Sequence, residues 1–277
     1  MWHRKTAVQA AIVAGVFGVL VAIIQKCPET SPQRNVPDIG KPADGSMPRV
    51  AEDLPSQEKS RFDKAHNYQH QHEYNRALEE IKPLVEKYPA SLFLRLEHGR
   101  ILYNIPSRRA DALGEFLTAK QLDPASISVR YNLALTYANL NRIQEAQEEA
   151  LWVYQHDKTH MKAALLLSEL AYDDKKYKEA RNYLMQVVQS NKDFVAYAEF
   201  YLAKLELVDS RTSSTQKEKA IEWLRKSVSR AREHEPMILQ NLLTDICNSA
   251  LNGPLSPLSG MKAFKELFSQ HARACGI

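Results

Sequence analysis

A small residue returns in this chain at a nearly constant step. Ala77, Ala112, Ala146, Ala180 and Ala220 stand 35, 34, 34 and 40 residues apart, and four positions after each comes a large apolar residue or a second small one: Ile81, Phe116, Ala150, Leu184 and Leu224. An offset of four places both members on one stripe of a helix. The centre of the pattern, residues 131–150, reads as two short helices joined by a tight turn near Asn139 to Asn141, with Leu133, Tyr137, Ile143 and Ala146 on facing stripes. Such a hairpin covers neither stripe alone and needs a copy of itself on each side. The period supplies those copies, so the chain is constrained to a stack of helical hairpins.

Five hairpins follow from the register, each a helix A and a helix B: 57–70 with 74–88, 91–104 with 107–122, 125–139 with 143–156, 159–172 with 177–190, and 193–208 with 216–234. Pro89 and Pro124 lie twelve residues after their alanines and stop helix B, whereas Lys158 and Lys192 hold the equivalent places later. Residues 209–215 read as a polar loop inserted in the fifth unit. After Pro236, the residues Met237, Leu239, Leu242, Leu243, Ile246 and Ala250 keep helical spacing, and Met261, Phe264, Leu267, Phe268 and Ala272 form a last amphipathic helix that closes the end of the stack.

This pattern resembles the tetratricopeptide repeat family, which sets an aromatic, Leu-Gly and Tyr in the first helix against Ala, Phe, Ala and Pro in the second. The likeness is carried by Leu133-Ala134, Tyr137 and Ala146 in one unit, by Gly99, Ala112, Phe116, Ala119 and Pro124 in another, and by Ala65, Tyr68, Ala77 and Pro89 in the first. It spans roughly residues 57–235 and departs from the family in lacking the signature Trp, in losing the terminal proline of the third and fourth units, and in the fifth-unit insert. The resemblance implies an all-α, right-handed superhelix of helical hairpins with helix A lining a concave groove.

On that register the inward positions are His66, Gln69 and His70, then Leu96, Arg100, Tyr103 and Asn104, then Tyr131, Leu135 and Asn139, then Leu165, Glu169, Tyr172 and Asp173. The partner-binding set expected from them is His66, Arg100, Tyr103, Asn104, Tyr131, Asn139, Glu169 and Tyr172, a mixture of aromatic, amide and charged groups suited to a peptide backbone and a few anchors. Relatives that bind chaperone tails use a clamp of Lys, Asn and Arg. Here Phe62 and His66 stand where Lys and Asn are wanted, and Arg100 and Asn132 do not restore the set, so clamp-type recognition is not expected.

The amino-terminal end follows different rules. Residues 1–5 carry Arg4 and Lys5, and residues 6–24 hold no charge. Nineteen helical residues reach about 29 Å, close to the thickness of a bilayer core. A transmembrane helix over 6–25 is the reading adopted; a cleaved signal peptide is the rival, disfavoured by the length of the apolar run and the lack of a small-residue cleavage site. Two charges before the span against Lys26 after it put the amino terminus in the cytoplasm and the repeats outside it, in a periplasm, lumen or exterior. Ala7, Ala11 and Gly15, with Ala14, Gly18 and Ala22, have the four-residue spacing that permits a homodimer through the span. Residues 26–56 are a proline-rich linker that extends to roughly 90 Å at most. The expected organisation is therefore a basic start at 1–5, the span at 6–25, the linker at 26–56, repeats at 57–235 and capping helices at 236–277.

Several function classes are not supported. The net charge of +4, from 37 basic and 33 acidic side chains, is too even for a nucleic-acid footprint. No phosphate loop, dinucleotide fingerprint, nucleophile elbow or paired Cys/His ligand set occurs, so neither an enzyme nor a cofactor is expected. His66 and His70 stand one helical turn apart with His72 nearby, and lack a third ligand, so a solvated pair is expected rather than a metal site. Cys247 and Cys275 are read as buried free thiols, with pairing in an oxidising compartment as the alternative. The function expected is a membrane-anchored scaffold that binds a protein or peptide partner for assembly, chaperoning or recruitment of a membrane-associated complex. The alternatives are a secreted or periplasmic self-associating repeat protein and an accessory subunit of a membrane enzyme.

Overall fold

The computed structural model describes residues 49–190, 194–208 and 212–268. The described chain divides into two compact units between His156 and Asp157. In the amino-terminal unit, α1 (Ser56–His70) packs on α2 (Tyr74–Lys87), α3 (Leu92–Tyr103) on α4 (Arg109–Leu122) and α5 (Ile127–Asn139) on α6 (Ile143–His156), and each hairpin also packs on the next through α2 with α3 and α4 with α5. In the carboxyl-terminal unit, α7 (Met161–Asp173), α8 (Tyr177–Ser190), α9 (Val195–Glu206), α10 (Ser214–Glu233) and α11 (Pro236–Asn252) pack in the same consecutive way, with α12 (Lys262–Leu267) laid on α10. No strand occurs among the described residues, and the expected all-α helical-hairpin solenoid is what forms.

The periodic residues are the core. Ala77, Ala112, Ala146, Ala180 and Ala220 are all 0 % exposed, and Ile81, Phe116, Ala150, Leu184 and Leu224 are buried beside them in sequence. Small residues in helix B let helix A approach closely, and the large residue one turn on fills the space that remains. The facing position in helix A is small as well: Ala65, Gly99, Ala134 and Ser168 are buried at steps of 34 or 35 residues.

The hairpin turns repeat in backbone detail. His72, Asn141 and Lys175 have left-handed φ of 61°, 59° and 61°. In each, the following amide reaches back five residues, Glu73 to the Tyr68 carbonyl, Arg142 to Tyr137 and Lys176 to Ala171, the bond that closes a helix ending in a left-handed residue. Pro106 cannot adopt that φ, so a 3-10 turn, Pro106–Arg108, joins α3 to α4 instead and delays the start of α4 to Arg109. Helix starts recur too. Ser91, Ser126 and His160 each accept from the amide three residues on, His160 taking the place of serine where the preceding proline has been lost.

A latch ties successive hairpins of the amino-terminal unit. Arg95 Nε donates to the Pro89 carbonyl at 2.5 Å and its Nη1 to Glu115 at 2.8 Å. One repeat later Arg130 donates to the Pro124 carbonyl at 2.7 Å and to Glu149 at 2.9 Å, with its guanidinium 4.0 Å from the Trp152 ring. A guanidinium has enough donors for both partners, and a lysine does not have the geometry.

Two sequence expectations change here. Cys247 is disulfide-bonded rather than a free thiol; Cys275, like Cys27, lies outside the described residues. The loop expected over 209–215 ends earlier, because Ser213 and Gln216 form a capping box that starts α10 at Ser214. Phe264 and Phe268 of the closing segment are buried, while Ala272 lies outside the described residues. So does the span expected at 6–25; among the described residues no helix is long and apolar enough to cross a membrane.

Candidate protein-interaction face

The A helices of the amino-terminal unit are α1, α3 and α5. The last turns of α3 and α5 come together: Asn139 Nδ2 donates to the Tyr103 hydroxyl at 2.7 Å and to the Leu135 carbonyl at 2.9 Å. The Arg109 guanidinium lies 5.6 Å from the Tyr103 ring, and burial raises the pKa of the Tyr103 hydroxyl. Beside them, Arg100 pairs with Glu97 at 2.7 Å and Asn104 donates to the Arg100 carbonyl at 2.9 Å, all half-buried. Tyr103 and Asn139 are thus joined, with Arg100 and Asn104 alongside. Tyr103 and Tyr131 are 3 % and 5 % exposed, so both rings are buried in their helices' packing rather than on an open surface. His66 is exposed on α1, its Nε2 2.8 Å from that of His70. Among the described residues no group of three His, Cys, Asp or Glu side chains is arranged to hold a metal ion.

The carboxyl-terminal unit holds a buried polar cluster. Glu169, 3 % exposed, accepts a hydrogen bond from the Tyr201 hydroxyl through Oε1, while its Oε2 is buried without a hydrogen-bond partner. Lys204, 4 % exposed, places Nζ 4.4 Å from the Tyr201 ring, 5.2 Å from Tyr172 and 5.6 Å from Phe200. Asp245 of α11 is half-buried, and Asp173 is exposed at the end of α7. Burial dominates the titration: it pushes Glu169 up to about 8, Asp245 to about 7 and Tyr172 to about 12, and it pulls Lys204 down against the opposing charges of Glu169, Asp173 and Asp245.

A model of the tetratricopeptide repeat matches residues 127–150, which cover α5 and the first part of α6. The fold is similar to that of PilW, a type IV pilus biogenesis factor, with a TM-score of 0.58 at 16 % identity over 79 % of this chain and 94 % of that one. It is also similar to MamA from Desulfovibrio magneticus RS-1, with a TM-score of 0.55 at 13 % identity over 66 % of this chain and 99 % of that one. Residues 127–150 are a tetratricopeptide repeat, and the described chain has the fold of such repeats. PilF of Pseudomonas aeruginosa has the same arrangement, with a TM-score of 0.51 at 20 % identity over 70 % of this chain and 84 % of that one. No curated protein matches the chain as a sequence relative.

The tetratricopeptide register explains what sequence reasoning missed. Arg100, Leu135, Glu169 and Lys204 follow one another at steps of 35, 34 and 35 residues, so carrying the helix-A register one unit further reaches Lys204. Asp245 lies beyond Pro236, where the period has ended, and no sequence signal points to it.

The cluster has a consequence for stability. A carboxyl whose pKa is raised in the folded state holds a proton that the unfolded chain has already released, so stability is full below the unfolded value and falls as pH rises through the folded one. Glu169 therefore weakens the carboxyl-terminal unit between about pH 4.5 and about 8. Glu169→Gln keeps an acceptor for Tyr201 and carries no charge. It is expected to raise the melting temperature at pH 8.5 by about 5 °C and to flatten its dependence on pH. Circular-dichroism melts across pH 5 to 8.5 check this; a variant that tracks the wild type at every pH contradicts it.

Proposed function

We propose that this protein is a scaffold, held to a membrane by residues 6–25, whose A-helix face captures a protein or peptide partner. The observation that carries the reading is the row of half-buried Arg100, Asn104 and Asn139 at the ends of neighbouring A helices, where Asn139 donates to the buried Tyr103 hydroxyl at 2.7 Å. Partly buried amides and guanidinium groups held by fixed neighbours match the donors and acceptors of an extended peptide at small entropic cost. The fold likeness to PilW, itself a pilus biogenesis factor, supports a role in assembling an envelope complex. The disulfide at Cys247 supports an oxidising, extracytoplasmic side for the repeats, in line with Arg4 and Lys5 before the span. The reading assigns the chain no catalysis.

The test is crosslinking in intact membranes with the wild type and with Arg100→Ala/Asn139→Ala. The double variant is expected to lose the proteins that the wild type brings down, with helix content unchanged. The same set of proteins from a folded double variant removes the reading.

A further inference from the structure

Two exposed histidines on α1 meet although nothing in the packing requires it. His66 and His70 lie one turn apart, and their Nε2 atoms stand 2.8 Å from each other. The ring centroids are 4.3 Å apart and the rings nearly perpendicular, at 85°. A head-on contact of the two nitrogens would add a ring radius on each side of the 2.8 Å and hold the centroids farther apart, so the rings lean off the line between the nitrogens. That is the attitude of two rings whose nitrogens point at one atom beside that line. His66 is also propped: Phe62, one turn earlier, stacks on it at 6.3 Å and 15°, and Phe62 itself packs against the amino-terminal core and lies 5.0 Å from Phe93 of α3. The pair is thus open to solvent and held in place from behind.

We propose that His66 and His70 chelate one divalent transition-metal ion, copper or nickel in preference to zinc, with both Nε2 atoms as ligands. Metal–imidazole bonds of about 2.0–2.1 Å drawn from nitrogens 2.8 Å apart meet at an angle of about 85 to 90°. That is the angle of a square-planar or tetragonal ion, the geometry that marks Cu2+ and Ni2+ among nitrogen sites. A tetrahedral zinc ion would need its two nitrogens about 3.3 Å apart, so the pair would have to open. The expectation of a solvated pair turned on the missing third ligand; the observed separation makes two ligands enough for copper. In the free pair one ring donates its Nε2 hydrogen to the other. On binding, that ring carries its hydrogen on Nδ1 instead, by exchange with water, and both Nε2 lone pairs face the ion with no net change in protons.

The site has an open side. His72 is turned to its own hairpin, its Nδ1 2.7 Å from the Tyr74 hydroxyl, and among the described residues no group of three His, Cys, Asp or Glu is placed around one ion. Water fills the remaining positions, which makes this an exchangeable site rather than a closed structural one. Once the first nitrogen has bound, the second is already within bonding reach, so the pair outdoes either histidine alone. The separation exists only while residues 66–70 are helical, so the ion holds the last turn of α1 and stabilises the folded first hairpin. The proposal does not depend on partner capture.

The probe is Cu2+ alone, titrated at pH 7.5 into the full chain in detergent micelles, with His3→Ala as the common background so that the histidine nearest the amino terminus does not compete. Electron paramagnetic resonance is expected to show a tetragonal Cu2+ signal with two imidazole nitrogens at one equivalent of metal. Calorimetric titration is expected to place Cu2+ first, Ni2+ second and Zn2+ last, with Cu2+ bound about tenfold or more tightly than Zn2+. His66→Ala and His70→Ala are each expected to weaken Cu2+ binding about tenfold or more and to abolish the two-nitrogen signal, whereas His72→Ala changes neither. Both positions are exposed, and the circular-dichroism spectrum of each metal-free variant is expected to match the parent's. A two-nitrogen signal that survives either substitution, or Cu2+ bound no more tightly by the parent than by the single variants, overturns the site; Zn2+ bound more tightly than Cu2+ overturns the geometry that defines it.

Discussion

Ala146→Glu is expected to leave the amino-terminal unit unfolded at room temperature. The alanine is 0 % exposed in the first turn of α6, with Ala150 equally buried one turn on and Ala134 of the facing helix at 0 %. Closed in by small buried residues, the site has no room for a carboxylate. An unpaired buried charge costs about 3 to 5 kcal/mol or more, against a total stability of about 5 to 15 kcal/mol for a domain. In a repeat stack each hairpin is held by its neighbours, so loss of the third withdraws the cover from the second. A circular-dichroism melt of the full chain is expected to show a large part of the helical signal missing at 25 °C. A melt within a degree or two of the wild type contradicts the packing described here.

The second large effect is at Gly99. A Cβ added there would lie 2.5 Å from Phe116 Cε1 and 2.8 Å from Cδ1, and that ring is fully buried and has nowhere to swing. Gly99→Ala is therefore expected to destabilise the unit by about 2 to 3 kcal/mol, although alanine is the better helix former and would favour the variant by about 1 kcal/mol at an open site. The neighbouring repeats tolerate alanine because their helix-B partners are smaller: Ala65 goes with Ile81 and Ala134 with Ala150. The double variant Gly99→Ala/Phe116→Leu should recover part of the loss, as expected when two substitutions share one contact. Denaturant unfolding of the two single variants and the double variant checks this, and additive losses would contradict it.

The contrast between these two sites shows what was readable in advance. Burial of Ala146 and Phe116 follows from period alone, because a step of 34 residues with a four-residue offset has no other use than packing. Helices α6 and α8 span Ile143–His156 and Tyr177–Ser190, as the pattern indicates, since each begins after a turn of the same backbone form. The start of α4 did not follow, because Pro106 replaces that turn. On the A-helix face, the pairing of Tyr103 with Asn139 lay within reach of the register, but the burial of Tyr131 depends on how its neighbours surround it, and an aromatic residue on an A helix serves core and groove alike. The same holds for the disulfide at Cys247. Whether two distant cysteines approach to bonding distance is a tertiary fact, and the preference for free thiols rested on composition alone.

The central claim is that partners are taken on the A-helix face and not on the B helices. A photo-crosslinking residue placed in turn at Asp173, exposed at the end of an A helix, and at Glu148, exposed on a B helix, tests it in native membranes. Crosslinks to one discrete protein from position 173 and none from position 148 are expected; equal labelling from both positions, or labelling from 148 alone, would contradict it.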